Sequence, residues 1–223
     1  MATIEAPLQD TERDGVATWA ASWRRVLPAL ALIGPGSWFV AALVRATGIG
    51  TLDGGLDWIS GPEGLIMSLG VSFFAATYVV LGMTISRRAP RSGVAVTGLG
   101  LVGVTAFGGI AFFRTFMAKF TEEGLDPDAM NEAFETTHIW DVAAITNFAN
   151  FAAWLVAGIA ILTTRVLPRW AGVCCLGGVV SVLLAQGAYV ALEVLWPLGT
   201  ALWLAATVGA VLDWRSPGQR LTR

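Results

Sequence analysis

Six apolar runs, each about as long as a bilayer is thick, constrain this chain more than any other feature. A helix of ~20 residues spans a hydrocarbon core of ~30 Å, and polar segments separate runs of about that length. Only 13% of the residues are charged, against about 25% in a soluble domain. The sequence therefore predicts an all-α polytopic transmembrane bundle of six helices, in contact with membrane lipid. The predicted spans are residues 26–44, 64–85, 94–113, 139–162, 170–192 and 194–212.

The distribution of arginine predicts the orientation of the chain. Eleven of the 14 basic residues lie in the N-terminal segment, in the loops after the second and fourth spans, or in the C-terminal segment. Cytoplasmic loops carry an excess of Lys and Arg, so both termini are predicted to be cytoplasmic, with a multi-pass location in the cell membrane. Residues 1–25 form a cytoplasmic tail, 26–214 the membrane domain and 215–223 a second tail. Trp19 and Trp23 mark either an interfacial helix or an extension of the first span.

An acidic polar arm, residues 114–138, separates the third and fourth spans. Six of the chain's 16 acids lie there, together with its only lysine, Lys119, and its only histidine, His138. The orientation places this arm on the outer face, where it is either a solvated loop or a docking surface for a protein partner. Asp126 and Pro127 form a typical helix start, and this helix could continue into the fourth span.

One group of side chains at the end of the arm has the spacing of a metal site. Glu135 and His138 are three residues apart, a spacing that places a carboxylate and an imidazole on one helix face, and Asp141 follows. These three residues are the candidate metal ligands. The alternative is a solvated helix end whose acids pair with Arg114 or Lys119.

Proline at position 35 predicts a kink in the first span. Proline has no N–H and its ring clashes with the carbonyl four residues earlier, which here belongs to Ala31. A carbonyl freed at membrane depth needs a partner from a neighbouring helix or water. The kink could therefore line a cavity or only shape the bundle.

Polar side chains in the last three spans complete a candidate ligand site. Amide side chains in hydrocarbon form hydrogen bonds across helices, and two asparagines of the fourth span are expected to point into the bundle. A polar cavity between the first, fourth and fifth spans would favour a ligand, and a dry, fully packed bundle would count against one. The candidate ligand-binding residues are Pro35, Asn147, Asn150, Gln186 and Tyr189.

Several classes of function are excluded by the residues themselves. Gly98, Gly100 and Gly103 match G-x-G-x-x-G, but a dinucleotide site needs a preceding strand and a later acid, so these glycines indicate close helix contact instead. The predicted spans have no charge in their central thirds, which argues against a proton-coupled carrier with a midplane carboxylate. Lys119 lies outside the spans, which excludes a retinal Schiff base. We expect no cofactor and no nucleic-acid partner.

The fifth span opens on the sequence RVLPRWAG at 165–172. With this marker, the last three spans resemble the C-terminal half of bacterial six-helix membrane proteins that carry a domain of unknown function. The resemblance implies the six-helix topology and no activity.

Three functions therefore stay open at this point. The first is a non-enzymatic accessory, scaffold or partner-binding subunit, which fits the charge-free core and the acidic arm. The second is a carrier or receptor for a neutral or lipidic small molecule. The third is an outer-face metal-dependent enzyme that uses the ligands named above; no other pattern in the chain indicates an enzyme.

Overall fold

The computed structural model describes residues 7–50, 60–126, 129, 132–133, 136–187 and 194–215. In these residues it contains six helices long and apolar enough to cross a membrane, and no β-strand. The six-helix all-α fold predicted from the sequence is therefore confirmed. The helices are α1 (Pro7–Ala46), α2 (Gly61–Ser86), α3 (Pro90–Glu122), α4 (Ile139–Thr164), α5 (Arg169–Gly187) and α6 (Leu195–Arg215).

The helices form a closed ring in chain order. Each helix packs against the next one along the chain, and α1 packs against α6 to close the ring. The helix α2 also contacts α4 and α6 across the ring, so α2 lies nearest the centre. Large apolar side chains on the outside, such as Leu69, Val94 and Ile145, are 68–72% exposed, as expected where the solvent is lipid rather than water.

Residues 7–25 are part of the first helix. α1 begins at Pro7 and continues without interruption to Ala46, and its apolar part is Ala21–Ala46. Residues 7–25 are thus helical and continuous with the first span, and their location in the membrane interface stays a prediction. Trp19 and Trp23 lie on its exposed surface, with their ring centroids 5.9 Å apart.

Glycines in α3 allow two neighbouring helices to come close. A side chain at Gly100 would collide with the ring of Tyr78 on α2, and a Cβ at Gly103 would lie 2.6–2.8 Å from Asn150 on α4. Gly98, by contrast, has nothing within 4 Å. The prediction that the glycine motif serves close helix contact is therefore confirmed at Gly100 and Gly103.

The carbonyl freed by Pro35 finds its partner on α2. The Thr77 hydroxyl donates a hydrogen bond of 2.7 Å to the Ala31 carbonyl oxygen, and both residues are fully buried. The helix α1 is continuous through the proline. The chain thus satisfies a main-chain acceptor in an apolar interior with a hydroxyl from the next helix, as the sequence predicts.

The Thr77–Ala31 hydrogen bond predicts that the effects of substitutions at Thr77 and Pro35 on stability are coupled. Thr77→Val should lower the free energy of unfolding in detergent by about 1–2 kcal/mol, because it leaves the Ala31 carbonyl without a partner. In a Pro35→Ala background, residue 35 regains an N–H that can bond this carbonyl. Thr77→Val should then lower the free energy of unfolding much less. A double-mutant cycle followed by chemical unfolding measures the coupling, and equal costs in the two backgrounds would contradict this account.

Polar contacts join the arginine-rich ends of the helices. Arg87 Nη1 lies 2.7 Å from Asp213 Oδ2, and Arg88 Nη1 donates to the Thr164 carbonyl at 3.0 Å. Trp214 Nε1 donates to the Arg24 carbonyl at 3.1 Å. The beginning of the apolar part of α1 and the end of α6 therefore lie at one end of the bundle, called here the arginine-rich end. That this end faces the cytoplasm stays a prediction.

Candidate functional site

A cavity of about 190 Å³ lies inside the ring, in the half opposite the arginine-rich end. Helices α1, α3, α4, α5 and α6 supply its wall, which is mainly aromatic, and three polar side chains interrupt that surface. An apolar cavity of about 150 Å³ is large enough for benzene, so this one has room for a single ring with a small polar substituent. The aromatic lining residues are Trp38, Phe107, Phe113, Phe151, Trp196 and Trp203, and the polar ones are Arg114, Asn147 and Gln186.

The rings of the aromatic wall pack on one another. The Trp38 ring lies 3.9 Å from that of Phe107 and 6.3 Å from that of Trp196, centroid to centroid. Trp203 stacks on Trp154, with centroids 5.2 Å apart and ring planes within 6°. Such pairs add about 0.5–1.5 kcal/mol beyond their buried area, so these contacts stabilise the wall of the cavity.

The one charged residue among the described residues that line the cavity, Arg114, forms a buried ion pair. Arg114 Nη1 donates to Glu63 Oε1, and the side chains are 8% and 0% exposed. Arg45, at the end of α1, lies close enough to interact electrostatically with both. A buried charge is tolerated only when it is paired, and Glu63 provides such a pair for Arg114.

Local sequence explains how α2 and α3 bring these charges together. Ser60 is the N-cap of α2, and its Oγ accepts from the Glu63 N–H at 3.4 Å. The next residue, Gly64, lies so close to α3 that a Cβ there would be 2.7 Å from the Thr115 nitrogen. The close approach places the Glu63 carboxylate beside Arg114, directly before Thr115 on α3.

Neither ion-pair residue is among the candidate site residues from the sequence, which places Arg114 in the outer arm. Helix α3 continues past residue 113 to Glu122, so Arg114 lies within the bundle. The structure pairs Arg114 with Glu63 of α2, and the expected pairing of Arg114 with acids of the arm stays a prediction. Lys119 does pair within the arm, with Glu122 at 3.3 Å and Glu123 at 3.1 Å.

No protein-family model, no curated protein and no solved structure matches this chain. The resemblance of the last three spans to six-helix membrane proteins stays a prediction. The function must therefore be argued from the site itself.

The predicted ligand residues divide into three groups. Asn147 and Gln186 line the cavity. Asn150 and Pro35 are buried elsewhere: Asn150 accepts a hydrogen bond from the Tyr78 hydroxyl, and Pro35 lies within α1. Tyr189 lies outside the described residues. The structure thus brings two of the five together, on neighbouring helices.

The predicted metal ligands are described only in part. His138 precedes α4 with φ 55°, a left-handed conformation that ends the preceding turn, so no unbroken helix leads into α4. Its Nδ1 lies 2.9 Å from Asp141 Oδ2, and both side chains are more than 70% exposed. Glu135 lies outside the described residues. Within the described ranges no three His, Cys, Asp or Glu side chains are placed to bind a metal, so the three-residue metal site stays a prediction.

Proposed function

We propose that the protein is a membrane-embedded binding protein, a carrier or receptor, for a small amphipathic molecule held in the cavity. The single observation behind this proposal is the space of about 190 Å³ with an aromatic wall and polar side chains from α3, α4 and α5. Small-molecule sites are concave and mostly apolar, with a few polar groups that fix orientation.

An unpaired polar atom supports the same proposal. The Asn147 Oδ1 atom is buried and has no hydrogen-bond partner among the described residues. A buried acceptor without a partner costs about 1–3 kcal/mol. A ligand with a donor would satisfy this atom.

The other two functions stay predictions. A protein partner on the acidic arm and a metal-dependent reaction at its end both depend on residues that lie partly outside the described ranges. Neither has a described geometry comparable to the cavity.

Cavity filling tests the proposal. The protein in lipid nanodiscs should bind single-ring probes such as benzyl alcohol and benzamide above the amount that empty nanodiscs absorb. Ile110→Phe adds a ring at a residue that lines the cavity, so it should weaken binding roughly tenfold or more. Equilibrium dialysis with labelled probe measures this, and uptake by proteoliposomes separates a carrier from a receptor.

Val102→Phe is the matched control, because Val102 lies on the same helix and is 48% exposed on its outside. This variant should bind as the wild type does. Both variants should keep the wild-type elution profile and unfolding midpoint. Equal binding by Ile110→Phe and wild type, or no binding above empty nanodiscs, would overturn the proposed function.

A further inference from the structure

We propose that four arginines at the arginine-rich end form a binding surface for the phosphate groups of anionic phospholipids. They lie in or directly beside the loops that join α2 to α3 and α4 to α5, and the cavity lies in the opposite half of the bundle. This proposal therefore does not depend on the proposed function. The residues, called here the loop arginines, are Arg88, Arg91, Arg165 and Arg169.

A contact from Arg88 holds the two loops side by side. Its Nη1 donates to the Thr164 carbonyl oxygen at 3.0 Å and to the Arg165 carbonyl oxygen at 3.4 Å. These carbonyls lie at the C-terminal end of α4, which carries a partial negative charge. Arg91 follows in the first turn of α3, and Arg169 is the first residue of α5. The loop arginines therefore lie in one region of the surface.

The charge of this region is positive. Neither loop contains an acid, and Asp213 of α6 pairs with Arg87. The loop arginines are exposed, and none of them forms an ion pair with another described side chain. The acids of the N-terminal segment end at Asp14, which is about 15 Å before Arg24 along the continuous helix α1. Like charges gathered on one surface repel one another, and bound anions relieve that repulsion.

Apolar side chains lie one turn further along the helices that begin here. Val94 is three residues after Arg91, and Val173 is four residues after Arg169, so each pair shares a helix face. The two valines are 72% and 59% exposed, and Trp170 is 46% exposed. A phospholipid matches this pattern with its phosphate at the arginine and its acyl chain along the valine. A soluble anion would leave these apolar side chains uncovered.

The chemistry of arginine suits this partner. A guanidinium has a planar fork of N–H donors that binds two phosphate oxygens at once through charge-assisted hydrogen bonds. Groups of four to eight basic residues beside membrane helices are typical of anionic-lipid binding, and each basic residue near the surface adds roughly fivefold in affinity.

Native mass spectrometry in a neutral detergent tests the proposal, because it counts the lipid molecules that stay bound. The wild type should retain phosphatidylglycerol roughly tenfold better than phosphatidylcholine with the same acyl chains. The triple variant Arg91→Gln/Arg165→Gln/Arg169→Gln should lose most of this preference; Arg88 is kept because it bonds to α4. The control Lys119→Gln removes an exposed cation near the opposite end of α3 and should keep the wild-type preference.

Three results would overturn the proposal. One is equal retention of the two lipids by the wild type. Another is an unchanged preference in the triple variant, which would leave these arginines only a role in orienting the chain. The third is displacement of phosphatidylglycerol by sn-glycerol 3-phosphate, which has the phosphate but no acyl chains and so would assign the surface to a soluble anion. If the triple variant fails to extract, the three single variants decide: each should lower the preference severalfold, and an unchanged preference in all three would also overturn the proposal.

Discussion

Replacing Glu63 by methionine is expected to lower the free energy of unfolding by about 3–5 kcal/mol, the usual cost of breaking a buried ion pair on one side. The substitution leaves the Arg114 charge in an apolar wall, and a guanidinium cannot lose its proton to escape that cost. The double variant Glu63→Met/Arg114→Met removes both charges and should recover most of the loss. Chemical unfolding in detergent, followed by circular dichroism, measures all three proteins.

Glu122→Met is the matched control for that series. It breaks the ion pair with Lys119, whose two side chains are 62% and 65% exposed, and exposed pairs contribute little. Its unfolding curve should coincide with that of the wild type. If the single Glu63 variant were as stable as this control, or if the double variant were no more stable than the single one, the pair would not have the role assigned to it.

Replacing Gly103 by leucine is expected to prevent the bundle from folding. A Cβ at this position would lie 2.7 Å from the Asn150 Cα and 2.8 Å from its nitrogen, and main-chain atoms of a packed helix cannot move aside as a side chain could. Relief requires α3 and α4 to separate, which also breaks the Tyr78–Asn150 hydrogen bond. The expected result is aggregation on extraction, seen as loss of the monodisperse peak in size-exclusion chromatography.

Gly98→Leu serves as the control within the same glycine motif. Gly98 has no atom of another element within 4 Å and is exposed on the outside of α3, where leucine suits both helix propensity and lipid. This variant should extract and elute as the wild type does. Similar behaviour of the two leucine variants would show that the motif has no role in helix contact.

The sequence predicts the helices well because hydropathy is a local property. Each run of about 20 apolar residues indicates its own helix, whatever the remainder of the chain does. The hydrogen bond to the Ala31 carbonyl was also foreseeable as a requirement, because proline removes a donor four residues later, although its donor, Thr77, was not. The contact partners of Gly100 and Gly103 depend on which helices are neighbours, so the sequence predicts only that some helix comes close.

The site was harder to predict, because a charge beside an apolar run is normally interpreted as the membrane boundary. Glu63 directly precedes one predicted span and Arg114 directly follows another, so the sequence places them in an outer loop and in the arm. One signal could have found them. They lie almost equally far along α2 and α3 from the loop that joins these helices, and opposite charges at matching positions of a tight hairpin are placed to pair.

The aromatic wall of the cavity carries no sequence signal of its own. Trp38, Phe107 and Phe151 lie in separate spans, and each is indistinguishable in sequence from a residue of a packed core. Their gathering around an empty space depends on helix diameters and crossing geometry, which hydropathy does not encode. Asn147 and Gln186 were identifiable because amides in hydrocarbon need partners, whatever those partners are.

Closure of the ring by α1 and α6 has a consequence for the nascent chain. Ribosomes add roughly 5–20 residues per second, so α6 emerges on the order of ten seconds after α1. During that interval the α1 surface around Trp38 has not yet met Trp196, which it stacks on in the finished protein. Until α6 is inserted, the surface of α1 that packs on α6 has no helix against it. Lipid or the insertion machinery must therefore cover this surface in the meantime.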